Sequence, residues 1–154
     1  MSALTEDMKR VVEHQRLGFV ATVCADGTPN LSPKGTVSVL DDDHLVFADL
    51  RSPGTVANLR TNPSLEINVV DPLIRKGYRF KGTATVVESG PELDRLVAFF
   101  SERGMSDAPK RIRAVVVVRV EQSRPVISPG YDRETSESAM RERWTRYYLG
   151  EKDS

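Results

Sequence analysis

The chain has one cysteine, no long apolar run and no net charge, and each of these absences excludes a class of protein. The single cysteine, Cys24, excludes an internal disulfide and a metal site built from cysteines. The longest apolar run, 114–118, is too short to span a bilayer. The 22 basic and 22 acidic side chains cancel, so no overall field attracts nucleic acid or membrane. The N-terminal residues carry no apolar signal core, and we expect a cytoplasmic protein.

Residue pairs that carry chemistry are also scarce. His14 and His44 are the only histidines, and with no histidine or cysteine beside them a surface position is favoured over metal binding. The run of three aspartates at 41–43 lacks the spacing of a calcium loop and is typical of a polar turn. No nucleophile lies beside a base, and no glycine-rich dinucleotide loop is present. The sequence therefore predicts no metal site and leaves catalytic residues unknown, so a cofactor would have to carry any chemistry.

What the chain does contain is a series of short β-forming runs separated by turn residues. Its 154 residues predict one domain, 1–154, made of an N-terminal helix (1–16), a barrel with inserted helices (17–127) and a helical tail (128–154). The first three strands follow one another without a helix, which excludes a parallel α/β fold. The pattern favours a mainly β protein with flanking helices, in the form of a closed antiparallel barrel. Its six predicted strands are 17–24, 31–40, 45–50, 64–70, 78–88 and 111–120, the last extending towards 127.

Four helices are predicted around these strands. Thr5 would cap the first. Ser52 would cap the second, because proline at position 53 suits the first turn of a helix, and Asn62-Pro63 would end it. Apolar spacing predicts two more helices, 91–103 and 134–149. The last carries an apolar stripe, for which packing on its own barrel and packing on a partner subunit are equally expected: Met140, Trp144, Tyr147 and Tyr148.

Two groups of cations and hydroxyls lie on neighbouring runs of the predicted hairpin. The first is Ser32, Lys34 and Thr36, and the second is Arg51, Ser52 and Thr55. The free amides of residues 54–56, at the start of the second helix, add donors to the second group. Each group alone has an ordinary alternative, an edge-strand lysine that discourages aggregation or a plain connecting helix. Side by side, they indicate a site for an anion such as phosphate.

A third basic segment occupies residues 75–81, where four of seven residues are cations. Strand alternation places Tyr78 and Phe80 on one face and Arg79 and Lys81 on the other. Two interpretations remain open: a basic wall near a phosphate or planar ring, and a solvated edge strand. Binding of nucleic acid is disfavoured by the zero net charge.

The order of these motifs resembles the pyridoxamine 5′-phosphate oxidase-like FMN-binding split barrels. The resemblance lies in LGFVATVCADGTPNLSPKGTVSVLDDDHLVFADLRSPGTVANLRTNPSLEINVVD, and RKGYRFKGTATVVE resembles the strand that follows. It covers roughly residues 15–90. The resemblance implies a six-stranded antiparallel split barrel that forms a homodimer with two FMN molecules at the interface. It also implies a flavin-dependent oxidoreductase, whose substrate and electron donor the sequence leaves unknown.

The same resemblance implies roles for individual residues. The flavin ring and its ribityl chain would run along Ser32, Pro33, Lys34, Gly35 and Thr36. The phosphate would be surrounded by Ala48, Asp49, Leu50, Arg51, Ser52 and Thr55, with Asn58 supporting that loop. Further contacts would come from Lys76, Tyr78 and Arg79. The aromatic residues expected nearest the isoalloxazine are Tyr131 and Trp144.

Two departures from the family pattern qualify these expectations. Pro53 and Gly54 stand where many relatives carry a cation, so phosphate affinity would fall to Arg51, Lys34 or residues 75–81. The C-terminal arginine and histidine contacts to pyridoxal phosphate have no match here, so true pyridoxamine phosphate oxidase activity is not expected. The alternatives are a non-enzymatic flavin carrier or electron-transfer module, and a protein that binds a deazaflavin or haem in the same cleft.

Overall fold

The computed structural model describes residues 2–151, so residue 1 of the predicted domain and residues 152–154 of the predicted tail lie outside the described residues. The first half of the chain forms α1 (Glu6–Gln15), β1 (Gly18–Val23), β2 (Pro29–Lys34), β3 (Ser38–Val39), β4 (His44–Asp49), α2 (Pro53–Thr61) and β5 (Ser64–Asp71). The second half forms β6 (Lys76–Val87), α3 (Gly90–Glu102), α4 (Ala108–Arg111), β7 (Ala114–Ile127), a 3₁₀ helix (Pro129–Arg133) and α5 (Glu137–Tyr148).

All strands belong to one antiparallel sheet in the order β2-β1-β5-β6-β7-β4-β3. The sheet curls into a half-barrel with helices on its flanks, which confirms the predicted mainly β fold. Within residues 2–151, no helix is long and apolar enough to cross a membrane.

The predicted count of six strands is wrong by one, because the run 31–40 is two strands separated by a turn. β2 ends at Lys34, β3 begins at Ser38, and these two strands are the opposite edges of the sheet. Thr36 holds the turn: its Oγ1 accepts a hydrogen bond from Ala48 N (2.9 Å) and donates one to Ala48 O (3.4 Å). A side chain thus takes the backbone groups that a continuous strand would have paired. We call residues 35–37, which join the two edges, the seam.

The apolar core lies on both faces of β4 and β7. Phe47 and Val118 point into the barrel, where they pack with Phe80. The same cluster includes Val12 of α1 and Leu4, just before that helix. The alternate residues of the same strands pack in a second cluster beneath α3 and α4, which includes Val46, Ala48, Val115, Leu96 and Phe100. Burial on both faces explains why these two strands are continuous apolar runs in the sequence. β4 ends at Asp49, where the candidate site begins.

The strand glycine Gly82 lies at a β-bulge, where the register between β6 and β7 shifts after Lys81. A Cβ at this position would overlap the carbonyl oxygen of Arg119. Because glycine has no Cβ, β6 and β7 approach each other more closely at Gly82 than any other residue would permit.

Helix boundaries follow the sequence with one correction. Thr5 caps α1, its hydroxyl accepting a hydrogen bond from Met8 N at 3.2 Å. Ser52 stands at the N-cap position of α2 with Pro53 after it, but its side chain makes no capping bond. α5 begins at Glu137 with Ser136 as its cap, three residues later than predicted. The short α4 and the 3₁₀ helix were not predicted, although each begins with a proline in its first turn.

Candidate functional site

One corner of the protein collects polar side chains from β2, β4 and the start of α2. We call it the corner and define it by Ser32, Lys34, Asp49, Ser52 and Thr55. β2 contributes the first two from its inner face, because Ser32 lies opposite the buried Val20 of β1. Asp49 is the last residue of β4, and Thr55 lies in the first turn of α2. The seam, and not a hairpin of β2 with β4, leads the chain from Lys34 to β3 and β4, and the charge of Asp49 at the end of β4 acts on Lys34.

Lys34 is the most unusual residue of the corner, since only 5% of it is exposed. Its Nζ donates to Ser32 Oγ at 3.0 Å, and within residues 2–151 no carboxylate oxygen lies within 4.0 Å of it. Burial lowers the pKa of Lys34, and the nearby negative charge of Asp49 offsets part of that shift. An ammonium group has three donors, and only one of them has a partner here. Lys34 is therefore placed to receive an anion.

The start of α2 also has donors to spare. Asp49 Oδ1 accepts a hydrogen bond from Ser52 N at 2.7 Å, which fixes the chain entering the helix. With no side-chain cap, the amides of Gly54 and Thr55 have no acceptor within the helix. The predicted third amide is not free, because Val56 N donates to Ser52 O (3.4 Å). Two uncapped amides and the positive end of the helix dipole form a site for negative charge.

Two further predicted residues border the corner. Arg51 is exposed, and within residues 2–151 it makes no ion pair or side-chain hydrogen bond. Asn58 lies on α2, and its Nδ2 donates to Thr22 Oγ1 (3.0 Å) and lies 3.6 Å from Cys24 Sγ. Asn58 thereby fastens α2 to β1. Thr22 is a buried polar residue that the sequence reasoning missed, although strand alternation places it on the inner face with Val20.

The remaining predicted residues lie on β6 and in the tail. Arg79 shares a row of the sheet with Pro33, the neighbour of Lys34, and the two are three strands or roughly 14 Å apart. Asp49 stands opposite Ala114 at the start of β7, whereas Lys76 stands opposite Ile127 at its end. At about 3.3 Å per residue these positions are roughly 40 Å apart along the strand. Within residues 2–151, Lys76, Tyr78, Arg79 and Trp144 make no hydrogen bond or ion pair with a corner residue.

Tyr78 and Arg79 of β6 are engaged within their own copy. Tyr78 points inward, and its hydroxyl donates to Asp7 of α1, a hydrogen bond that raises the pKa of the phenol. Arg79 points outward and pairs with Glu66 of β5 at 2.6 Å. The predicted alternation of side chains along β6 is therefore present, and the accessible cation, Arg79, lies on its outward face.

The tail forms a second cluster of cations and aromatic rings around the start of β6. Lys76 Nζ pairs with Glu137 of α5 (3.0 Å) and lies 4.2 Å from the ring centroid of Tyr131. Arg75 stacks its guanidinium 3.6 Å from the centroid of Trp144, while its buried Nε has no hydrogen-bond partner. Arg75 also adopts the left-handed conformation (φ 55°), which is unusual for a residue other than glycine. Sequence reasoning included Arg75 only as one cation of a basic segment.

A cavity of about 390 Å³ opens beside the seam, between Gly35, Thr36 and Ser38 and the end of α3. We call it the seam cavity. Three arginines line it, and two of them are held by ion pairs: Arg103 pairs with Glu13 (2.5 Å) and Arg111 with Asp107 (3.4 Å). Phe100 and Met105 give it an apolar part. Its size is within the range of small-molecule sites.

Comparison with known proteins identifies relatives of the whole barrel. The family model described as pyridoxamine 5′-phosphate oxidase matches residues 4–126. The uncharacterised protein MJ0282 of Methanocaldococcus jannaschii is 30% identical over 92 residues, or 58% of this chain; the match spans only 60% of that relative's own length. The crystal structure of HupZ from Group A Streptococcus is 31% identical, covers 78% of this chain and 91% of its own, and has a TM-score of 0.68.

More distant structures share the fold alone. An FMN-binding protein from Syntrophomonas wolfei is 16% identical, with 80% and 86% of the two chains covered and a TM-score of 0.66. HutZ, the haem storage protein of Vibrio cholerae, is 19% identical, with 82% and 95% covered and a TM-score of 0.65. An F420 reductase is 22% identical, with 79% and 98% covered and a TM-score of 0.60. The fold is thus shared by proteins whose names refer to three different ligands.

Proposed function

The chain belongs to the pyridoxamine 5′-phosphate oxidase family, and on that premise we propose that it binds FMN and acts as a flavin-dependent oxidoreductase. The family and the FMN-binding structural neighbour support the flavin. HutZ and the F420 reductase make haem and a deazaflavin the competing ligands. The corner favours FMN in this proposal, because its cation, hydroxyls and free amides suit a phosphate.

The observation that carries the proposal is the buried, under-bonded ammonium group of Lys34 beside the uncapped start of α2. A buried charge without an ion pair is costly, and an anion that fills the corner removes much of that cost. Ser32 and Ser52 add hydroxyls, and Arg51 adds an exposed guanidinium. FMN carries a terminal phosphate dianion that suits this set, whereas riboflavin has no anionic group and haem offers only carboxylates. The residues present therefore fit FMN despite the absence of a cation at positions 53 and 54.

Bound FMN would supply the hydride or electron transfer, because the described residues contain no nucleophile and base pair of their own. In this proposal Lys34, Arg51 and the amides of Gly54 and Thr55 hold the phosphate. The seam would place its backbone and the side chain of Thr36 against the flavin ring. Hydrogen bonds to Ala48 hold that side chain. The seam cavity next to it gives a substrate or electron donor access, and Phe100 and Met105 limit water there.

We further propose that two copies complete each site. The tail cluster makes no hydrogen bond or ion pair with the corner within residues 2–151. In a two-fold dimer, the tail of one copy would approach the corner of the other. An apolar patch on the outer face of β1 and β2 supports such contact: Phe19 is 43% exposed and Leu31 65% exposed. In the dimer, Lys76, Tyr131 and Trp144 of the second copy would reach the ligand.

The absorption spectrum of the purified protein, recorded before and after denaturation, tests the ligand. A flavin spectrum with maxima that shift on release supports FMN, and mass measurement of the released compound separates FMN from riboflavin and from F420. Because Pro53 and Gly54 replace the usual cation, we expect partial occupancy on purification and full occupancy after added FMN. A Soret band, or released F420, would contradict the proposal. A protein that binds FMN yet oxidises and reduces no nicotinamide donor would be a flavin carrier.

A further inference from the structure

The last helix begins packed on its own barrel and ends uncovered. Along its apolar stripe, Met140 is buried and Trp144 is half-buried, but Tyr147 is 65% exposed and Leu149, just beyond the helix, is 71% exposed. The first half of α5 is fixed by ion pairs of Glu137 and Arg141. In the second half, Arg75 stacks on Trp144 and donates a hydrogen bond to the Tyr148 hydroxyl (3.4 Å), but the side chains of Tyr147 and Leu149 stay exposed. An aromatic end left in water on so small a protein indicates a contact surface.

An uncovered groove lies at the other end of the molecule. It has a volume of about 520 Å³, and its walls are α3 and α4. Its floor is apolar and includes Leu93, Val97 and Ile112. Its rim carries Asp94 and Glu102, and within residues 2–151 neither carboxylate forms an ion pair. The groove thus offers an apolar floor with two uncompensated negative charges.

We propose that the end of α5, residues 147–149, docks in the α3–α4 groove of a second copy of this chain. The charges match: Arg133 and Arg143 line one small cavity of the tail, and neither forms an ion pair within residues 2–151. Two free arginines would thus meet two free carboxylates while aromatic side chains cover the apolar floor. The contact occurs twice in a two-fold dimer.

The tail cannot fill the groove of its own copy. The groove lies beside Ile112, where β7 begins, whereas α5 is anchored at Lys76, opposite the end of β7. The two are separated by the length of this strand, roughly 40 Å at about 3.3 Å per residue. A second copy with its sheet antiparallel to the first brings its tail to that end. The inference rests on the proposed dimer, and it adds which surfaces meet and why.

Cross-linking tests the contact directly. In a Cys24→Ser background, the pair Ala98→Cys and Leu149→Cys places one thiol in the groove and one on the tail. Mild oxidation should convert the protein to covalent dimers. A matched pair, Arg10→Cys on α1 with Leu149→Cys, should give little cross-linking. A protein that is dimeric by sedimentation but yields no more covalent dimer than this control would overturn the docking and leave the dimer intact; a monomer that still binds FMN would overturn both.

Charge exchange supplies a second measurement that does not depend on new thiols. The double variant Asp94→Arg with Glu102→Arg should raise the dimer dissociation constant about tenfold, since each exposed ion pair contributes little by itself. Adding Arg133→Glu and Arg143→Glu should restore most of the affinity. Sedimentation velocity gives the constants, and FMN titration of each variant shows whether the corner is unaffected. Absence of any weakening, or weakening without rescue, would mean that another partner occupies the groove. Loss of FMN from the wild type would instead count against the proposed function.

Discussion

Lys34 lowers the stability of the folded protein and contributes to the proposed ligand site. Replacing it should therefore raise the stability and weaken ligand binding. Burial lowers its pKa in the folded state, so the unfolded chain holds this proton more tightly. The folded state is therefore penalised at pH values below the folded pKa, and the penalty fades as the pH rises towards the ordinary value of 10.5. A residue kept at such a cost is typical of a functional site.

We expect Lys34→Met to stabilise the FMN-free protein by about 1 kcal/mol at pH 7, the low end of the cost of a buried donor without partners. The gain should shrink as the pH approaches 10.5. Chemical denaturation at pH 7 and pH 10 measures both values. The same variant should bind FMN at least about tenfold more weakly, because a charge-assisted hydrogen bond is lost. A variant that is less stable at pH 7 would show that Lys34 already has adequate partners.

Arg51 is the second cation of the proposed phosphate site. Arg51→Ala should weaken FMN binding by about 1.5–3 kcal/mol, the usual scale of a hydrogen bond to a charged group. Fluorescence titration measures the affinity. Arg95→Ala on α3 is the matched control, since Arg95 is likewise exposed. Equal affinity of the Arg51 variant and the wild type would assign the phosphate to Lys34 and the helix amides alone.

The sequence identified the residue types of the corner but not all of their hydrogen bonds. Lys34, Arg51 and Asn58 were recognisable because cations and hydroxyls recur beside a proline-led helix. The absent Ser52 cap was not, because Asp49 takes the Ser52 backbone N–H through a contact that only the folded chain defines. Burial of Lys34 likewise depends on tertiary packing.

At the scale of elements, the seam joins the two edge strands of the sheet, and its conformation depends on Thr36. Thr36→Val keeps the shape of the side chain and removes both hydrogen bonds to Ala48. We expect a loss of about 1–2 kcal/mol of stability, because two backbone groups lose their partner. Thr85→Val is the control, since that threonine is exposed on β6. Thermal unfolding measures both variants, and equal melting temperatures would mean that the seam is held by packing alone.

Gly82 and Gly54 should respond oppositely to alanine. At Gly82 a Cβ would overlap the Arg119 carbonyl, so Gly82→Ala should destabilise the protein by about 3 kcal/mol or more. At Gly54 a Cβ meets nothing within 4 Å, and Gly54→Ala should stabilise by about 0.4–1 kcal/mol through the unfolded state. Urea denaturation compares them. A tolerated Gly82→Ala would show that the bulge can shift its register.

The periodicity of apolar residues predicted the type of each element, but it did not predict the break between β2 and β3. The alternation of apolar residues marked 31–40 as a single strand, because Thr36 and Val37 are themselves good strand formers. The chain nevertheless breaks at Gly35, where a side chain replaces the backbone ladder. The bulge at Gly82 was recognisable, since a glycine inside a strand commonly marks one.

At the scale of the whole molecule, the separation between corner and tail was hidden in the sequence. Lys76 and Arg51 are 25 residues apart in the chain, yet the register of β6 and β7 places their surroundings at opposite ends of the sheet. Register depends on contacts between distant residues, which one sequence does not display. The proposed dimer would reconcile this separation with a single ligand site.

The apolar patch on β1 and β2 gives a test of that dimer. Leu31→Glu places a charge on its most exposed side chain and should weaken dimerisation by at least about tenfold. FMN affinity should fall with it, because each site would lose the residues of the second copy. Sedimentation and flavin fluorescence follow the two quantities, with Thr28→Glu in the neighbouring turn as control. A monomeric variant with unchanged FMN affinity would show that one copy forms the whole site.

The central claim is that the corner binds the phosphate of a flavin, and a paired equilibrium titration with FMN and riboflavin tests it most directly. The two ligands share the ring and ribityl chain and differ only in the phosphate. The account predicts one FMN for each chain and an affinity for riboflavin about a hundredfold weaker, the equivalent of one or two charge-assisted hydrogen bonds. Equal affinities for FMN and riboflavin, or no binding of FMN at all, would contradict it.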